Sequence, residues 1–134
     1  MLQFVYWAHW IIPWFILILG MYLIVSFVRG YIDKRSFTTM EDRLFGVFRY
    51  SMVVQGATGF MYFSWSGFVT GYFPLYRIAH GVVMFIAGLI LGLSPRWDNV
   101  DDATRYLNLF YVLLASFLIM LVGLGLVPAS TTGR

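Results

Sequence analysis

The stretch Tyr72–Trp97, YFPLYRIAHGVVMFIAGLILGLSPRW, decides the class of fold. Eighteen residues without a formal charge lie between Arg77 and Arg96. At ~1.5 Å of rise per helical residue they cover roughly 27 Å, one hydrocarbon core of a bilayer. The segment predicts a spanning helix over about residues 75–93, with Pro74 at its start. It also carries His80, one of only two histidines in the chain. An imidazole in a membrane needs a partner, whether a metal, a carboxylate or a neighbouring helix, and this makes His80 a candidate functional residue.

Composition extends the membrane reading to the whole chain. Of 134 residues, 60% are hydrophobic and 11% charged, against about 25% charged in soluble domains. A first span is expected over about residues 6–28; its apolar run has no small-residue cleavage site after a basic leader and reads as an anchor. Trp7, Trp10 and Trp14 suit the headgroup boundary, and Pro13 falls in the first turns. A second span is expected over about 44–65, with Gln55 as its mid-span amide, and a fourth over about 106–127, ending before Pro128. No stretch reads as a soluble domain, so residues 1–134 form one membrane domain. The fold class is all-α, four transmembrane helices in an up-down antiparallel bundle, because short connections make neighbouring helices antiparallel.

The polar loops fix the expected orientation. Segments 29–43, RGYIDKRSFTTMEDR, and 94–105, SPRWDNVDDATR, with Arg49 close by, hold seven of the nine basic residues; Arg77 and Arg134 are the others. Basic loops stay in the cytoplasm, so both termini are expected on the outer, periplasmic side of a bacterial cytoplasmic membrane. This clustering accounts for the net charge of +3 without a nucleic-acid partner. Thr38 or Thr39 suits an N-cap before Glu41 and Asp42. Asp98, Asp101 and Asp102 lie among arginines and read as a solvated, helix-capping face rather than a metal site.

The absence of cysteine leaves no iron–sulfur cluster, thiolate zinc site or covalent haem for this chain to hold. Any redox cofactor would depend on His, Met or packing. His9 lies twenty residues from Arg29 and His80 sixteen from Arg96, placing both imidazoles in the outer half of their spans at similar depth. Such a pair on helices one and three is suited to ligate one haem b, one nitrogen on each face of the iron, with Arg77 one turn outward to meet a propionate and Trp10, Trp14 and Met84 to line the ring. The competing reading has each His bonding a carbonyl or headgroup, and Arg77 snorkelling to phosphate. Gly88 and Gly92 form a small-x-x-x-small face for helix packing, Gly123 with Gly125 are suited to the same packing role on span four, and Gln55 is suited to a neighbouring helix or a quinone.

AHWIIPWFILIL around His9, FRYSMVVQGATGFMYF around Gln55 and RIAHGVVMFIAGLILGLSPRW around His80 together resemble small bacterial four-helix membrane proteins loosely called cytochrome b or b561-like. In these, one His opens span one and another opens span three. Two histidines, rather than the four of two-haem members, imply at most one haem, and Ala79 stands where an acidic residue is expected. Two functions follow as expectations. The first is a non-catalytic helical subunit of a larger quinol-oxidising respiratory or photosynthetic complex, with alternative complex III a host by size and layout, and with other membrane subunits, lipid and quinol as partners. The second is a one-haem b-type cytochrome passing electrons between quinol and an outer-side acceptor, ligated by His9 and His80.

Overall fold

The computed structural model describes residues 2–126 and is helical throughout, with no strand among those residues. Helix α1 runs Leu2–Ile32, α2 Thr39–Thr70, α3 Leu75–Leu91 and α4 Asp102–Gly125, with a short 3₁₀ helix, Ser94–Trp97, between the last two. The end of the fourth span at Val127 and Pro128, the tail ASTTGR and Arg134 lie outside the described residues.

Local chemistry sets the boundaries. α1 continues past the expected residue 28, with Pro13 inside it. It ends where Lys34 takes a left-handed conformation, φ 51°, and Arg35 N–H donates back to the Gly30 carbonyl at 3.0 Å, the wrap that satisfies a helix's last carbonyls. α2 opens with a reciprocal cap: Glu41 N–H donates to Thr38 Oγ1 at 3.2 Å and Thr38 N–H donates to Glu41 Oε2 at 3.0 Å. It closes on Gly71 at φ 66°, a conformation a side chain would disfavour. Asp101 caps α4 by accepting from Thr104 N–H at 3.0 Å. Hydrogen bonding from the Thr104 side chain, and then from its backbone N–H, holds the exposed Asp101 carboxyl below its ordinary range.

Three of the four helices are long and apolar enough to cross a membrane: α1, α3 with its 3₁₀ extension, and α4. α2, expected to hold a span over about residues 44–65, is not among them. Its 32 residues suffice in length, but Arg49, Ser51, Gln55, Thr58, Ser64 and Ser66 keep its apolar stretches short. α1 packs on α2 and α4, and α3 packs on α4 and more thinly on α2. The short connections turn each helix back along its predecessor, closing a four-membered ring.

The core lies toward the charged-loop end. Phe27, Phe48, Leu23, Leu113 and Tyr106 have no exposed surface, and rings link α1 to α2 through Phe27 and Phe45, centroids 5.9 Å apart, and α2 to α4 through Phe48 and Phe117, 6.3 Å apart. Two glycines on α1 permit this. A Cβ on Gly20 would run into the Phe117 ring, and one on Gly30 into the ring of Tyr106.

Glu41 ties these elements together, with only 4% of its surface exposed. Its Oε1 accepts from Ser26 Oγ at 2.7 Å and from Arg35 Nη2 at 3.2 Å. Its Oε2 accepts from Thr38 Oγ1 at 2.9 Å and from the Tyr106 hydroxyl at 2.6 Å. One carboxylate thus joins α1, the first polar loop, α2 and α4. Burial opposes its ionisation, but the hydrogen bonds from Tyr106, Ser26 and Thr38 outweigh burial and hold the carboxyl below its ordinary value.

Candidate functional site

His9, Gln55, Arg77 and His80 come from three helices and lie at the end of the bundle opposite the charged loops, where the core thins and side chains are half-buried. His9, in the first turns of α1, is held by α2. Gln55 Nε2 lies 3.0 Å from His9 Nδ1 and donates to the His9 carbonyl at 3.2 Å. Thr58 Oγ1 is 3.5 Å from the same Nδ1 but spends its proton on the Gln55 carbonyl at 3.0 Å. Gly59 completes the notch: a Cβ there would come within 2.8 Å of His9 Cε1. Gln55, Thr58 and Gly59 follow the i, i+3, i+4 spacing of one helix face.

This network fixes the tautomer. The amide orientation with Nε2 inward supplies donors to both His9 acceptors; the opposite one would set Oε1 against the His9 carbonyl oxygen. His9 Nδ1 therefore accepts, and its ring proton resides on Nε2. Gln55 Oε1 is left buried without a hydrogen-bond partner among the described residues.

His80 is held differently. Its Nδ1 lies 2.8 Å from the Gly123 carbonyl oxygen, an acceptor only, so Nδ1 carries the proton and Nε2 keeps a free lone pair. Gly123 brings this about by close approach, since a Cβ there would come within 3.3 Å of Val83 and Met84. Its carbonyl belongs to the last turn of α4, where it also accepts from the Leu126 N–H at 3.3 Å.

Arg77 donates from Nη1 to Ser66 Oγ at 2.8 Å, joining α3 to α2. Among the described residues, a Cβ on Gly88 would meet no atom of another helix within 4 Å, and the nearest atoms to one on Gly92, the C-cap of α3, belong to the backbone of its own turn. Neither glycine is therefore a helix contact inside the bundle. Trp10 and Trp14 are exposed, and Met84 packs at Gly123.

A haem needs an imidazole whose Nδ1–H is held by a carbonyl or carboxylate and whose Nε2 is free to bind iron. His80 meets both conditions. His9 as hydrogen-bonded meets neither, because an Nε2 that carries a proton has no lone pair to give. The two imidazoles in this arrangement therefore do not together fit bis-histidine ligation. Among the described residues no three His, Asp or Glu side chains gather as a metal site.

Sequence reasoning paired Gln55 with a neighbouring helix but missed Thr58, although its spacing from Gln55 marks one face. It also missed Ser66, for which no signal exists in a single sequence. Compared with protein families, curated proteins and solved structures, the chain matches none.

Proposed function

We propose that this chain is a non-catalytic helical subunit of a larger electron-transfer assembly in a bacterial cytoplasmic membrane, with both termini outside. One observation carries the subunit reading. Among the described residues, a Cβ on Gly56 of α2 or on Gly81 or Gly88 of α3 would meet nothing from another helix within 4 Å, although glycine inside a helix costs about 1 kcal/mol against alanine. Helix glycines in membranes repay that cost where another helix approaches closely. By contrast, the polar side chains between the helices bind this chain to itself, as in His9 with Gln55, His80 with the Gly123 carbonyl, Arg77 with Ser66 and Ser116 with the Ala87 carbonyl. The electron-transfer host, quinol-oxidising respiratory or photosynthetic, rests on the resemblance carried by His9, Gln55 and His80.

The test is extraction of the tagged full-length chain from its own membranes in mild detergent. It is expected to run with haem-containing partner subunits, and Gly88→Leu to release them while leaving the chain folded. A wild-type chain that runs alone would sink the reading.

The one-haem cytochrome has one observation in its favour, the free Nε2 of His80, and requires Gln55 to release His9. A reduced-minus-oxidised spectrum decides between the two: the subunit reading expects no b-type band from the isolated chain. The cytochrome reading expects one that His9→Ala and His80→Ala each abolish, while Arg77→Ala retains it.

A further inference from the structure

At the charged-loop end, a cavity of about 200 Å³ opens between α2, α4 and the 3₁₀ helix, lined by Asp42, Gly46, Arg49, Ser94, Asp98 and Arg105 among others. Two of its lining residues carry a buried polar atom with no hydrogen-bond partner among the described residues, Ser94 Oγ and Arg105 Nε. Ser94 is 2% exposed. One oxygen of each carboxylate is engaged: Arg105 Nη2 donates to Asp42 Oδ1 at 2.8 Å and to Asp98 Oδ1 at 3.2 Å. Arg49, half-buried, forms no ion pair among the described residues. The unfilled donors are thus an Arg105 N–H, a serine hydroxyl and a whole guanidinium, and together they match an anion bearing several oxygens.

Size and depth narrow the ligand. At ~30 Å³ per liquid water the cavity has room for roughly six waters, far more than two orphan atoms need. Ser94 follows closely on α3, whose 17 residues extend about 26 Å, so the cavity opens at the edge of a hydrocarbon core, where lipid phosphates lie. We propose that this cavity is a binding site for a phosphate group, carried by a phospholipid headgroup or as free phosphate, held by Arg49, Arg105 Nε and Ser94 Oγ. The headgroup source rests on the membrane reading above; free phosphate does not.

Delipidated full-length protein in detergent is titrated with dioleoyl-phosphatidylglycerol, with dioleoylglycerol, which lacks the phosphate, and with inorganic phosphate. Binding is read by native mass spectrometry for the lipids and by calorimetry for phosphate. One-to-one saturable binding is expected for at least one phosphate-bearing probe and not for dioleoylglycerol. Arg49→Gln should weaken it about tenfold, the loss of one charge-assisted contact, and Ser94→Ala less. Gly46→Leu removes no donor but fills the cavity, because a Cβ at Gly46 meets nothing within 4 Å, and it should abolish binding while helical circular dichroism is unchanged. Binding of the lipid alone identifies a headgroup site, and binding of inorganic phosphate shows that the group suffices without a lipid. Failure of both probes to saturate, or equal affinity in wild type and Gly46→Leu, overturns the proposal and leaves a water-filled cavity.

Discussion

Glu41 and Gln55 are both polar residues drawn between helices, but they stand differently with respect to their partners. Every bond to Glu41 favours its charged form, and its folded carboxyl titrates below its ordinary value. The stability it contributes is therefore fully present above the unfolded value, about 4.3, and is lost as pH falls through the lower folded value. Thermal unfolding in detergent should be insensitive to this group near neutral pH and lose stability below about pH 4. Glu41→Gln should cost about 2 kcal/mol at pH 7, since it leaves Arg35 and Tyr106 facing a neutral amide, and should flatten that acid limb. Asp101 titrates in the same direction through its bond to Thr104, so Asp101→Asn is the control that shows how much of the limb belongs to the cap. Gln55 is half-used: its donors serve His9 while Oε1 goes unpaired. Hydrogen bonds between membrane helices average only about 0.6 kcal/mol, and here removal also deletes an orphaned acceptor, so Gln55→Leu should change stability by less than about 1 kcal/mol. A melting shift several times larger would mean that the His9 notch matters more than its geometry implies.

Glycines divide the helices into faces that pack within the chain and faces that do not. Gly30 admits the ring of Tyr106, which is wholly buried and cannot move aside. Gly30→Ala should therefore destabilise the bundle by about 1–3 kcal/mol, the usual cost of overpacking. Gly88→Ala should leave the isolated chain unharmed or stabilise it by up to about 1 kcal/mol through helix propensity. Denaturation midpoints of the two variants, measured side by side, check the contrast; equal losses would refute it. The sequence pattern could not sort these glycines. Gly88 and Gly92 fit a contact motif, yet Gly20 and Gly30, in no motif, meet rings, because their roles depend on the distant Phe117 and Tyr106. Helix ends were more legible. Thr38, Pro74 and Asp101 lie within a few residues of the backbone they terminate, so local chemistry alone placed α2, α3 and α4 to within a turn or so at their starts. The histidine partners were not legible, since bonds from His9 to Gln55 and from His80 to Gly123 span more than forty positions and depend on which helix faces which.

At the scale of the molecule, α2 is the helix that stands apart. Its neighbours α1, α3 and α4 are apolar enough to enter a bilayer by themselves, and α2 is not. Yet its connections fix its path: a six-residue link, 33–38, joins it to α1 and a four-residue link, 71–74, to α3. If α1 and α3 both span, α2 must return across the same thickness, its Gln55 and Thr58 facing α1 and its Ser66 facing Arg77 rather than lipid. With seven of nine basic residues in or beside the two charged loops, the 33–38 link should lie in the cytoplasm and the 71–74 link outside. The chain contains no cysteine, so single substitutions report accessibility without background. In intact cells a membrane-impermeant maleimide should label Tyr72→Cys and spare Asp33→Cys until the cells are broken open. Labelling of Asp33→Cys alone would invert the orientation, and labelling of both from outside would mean that α2 does not cross.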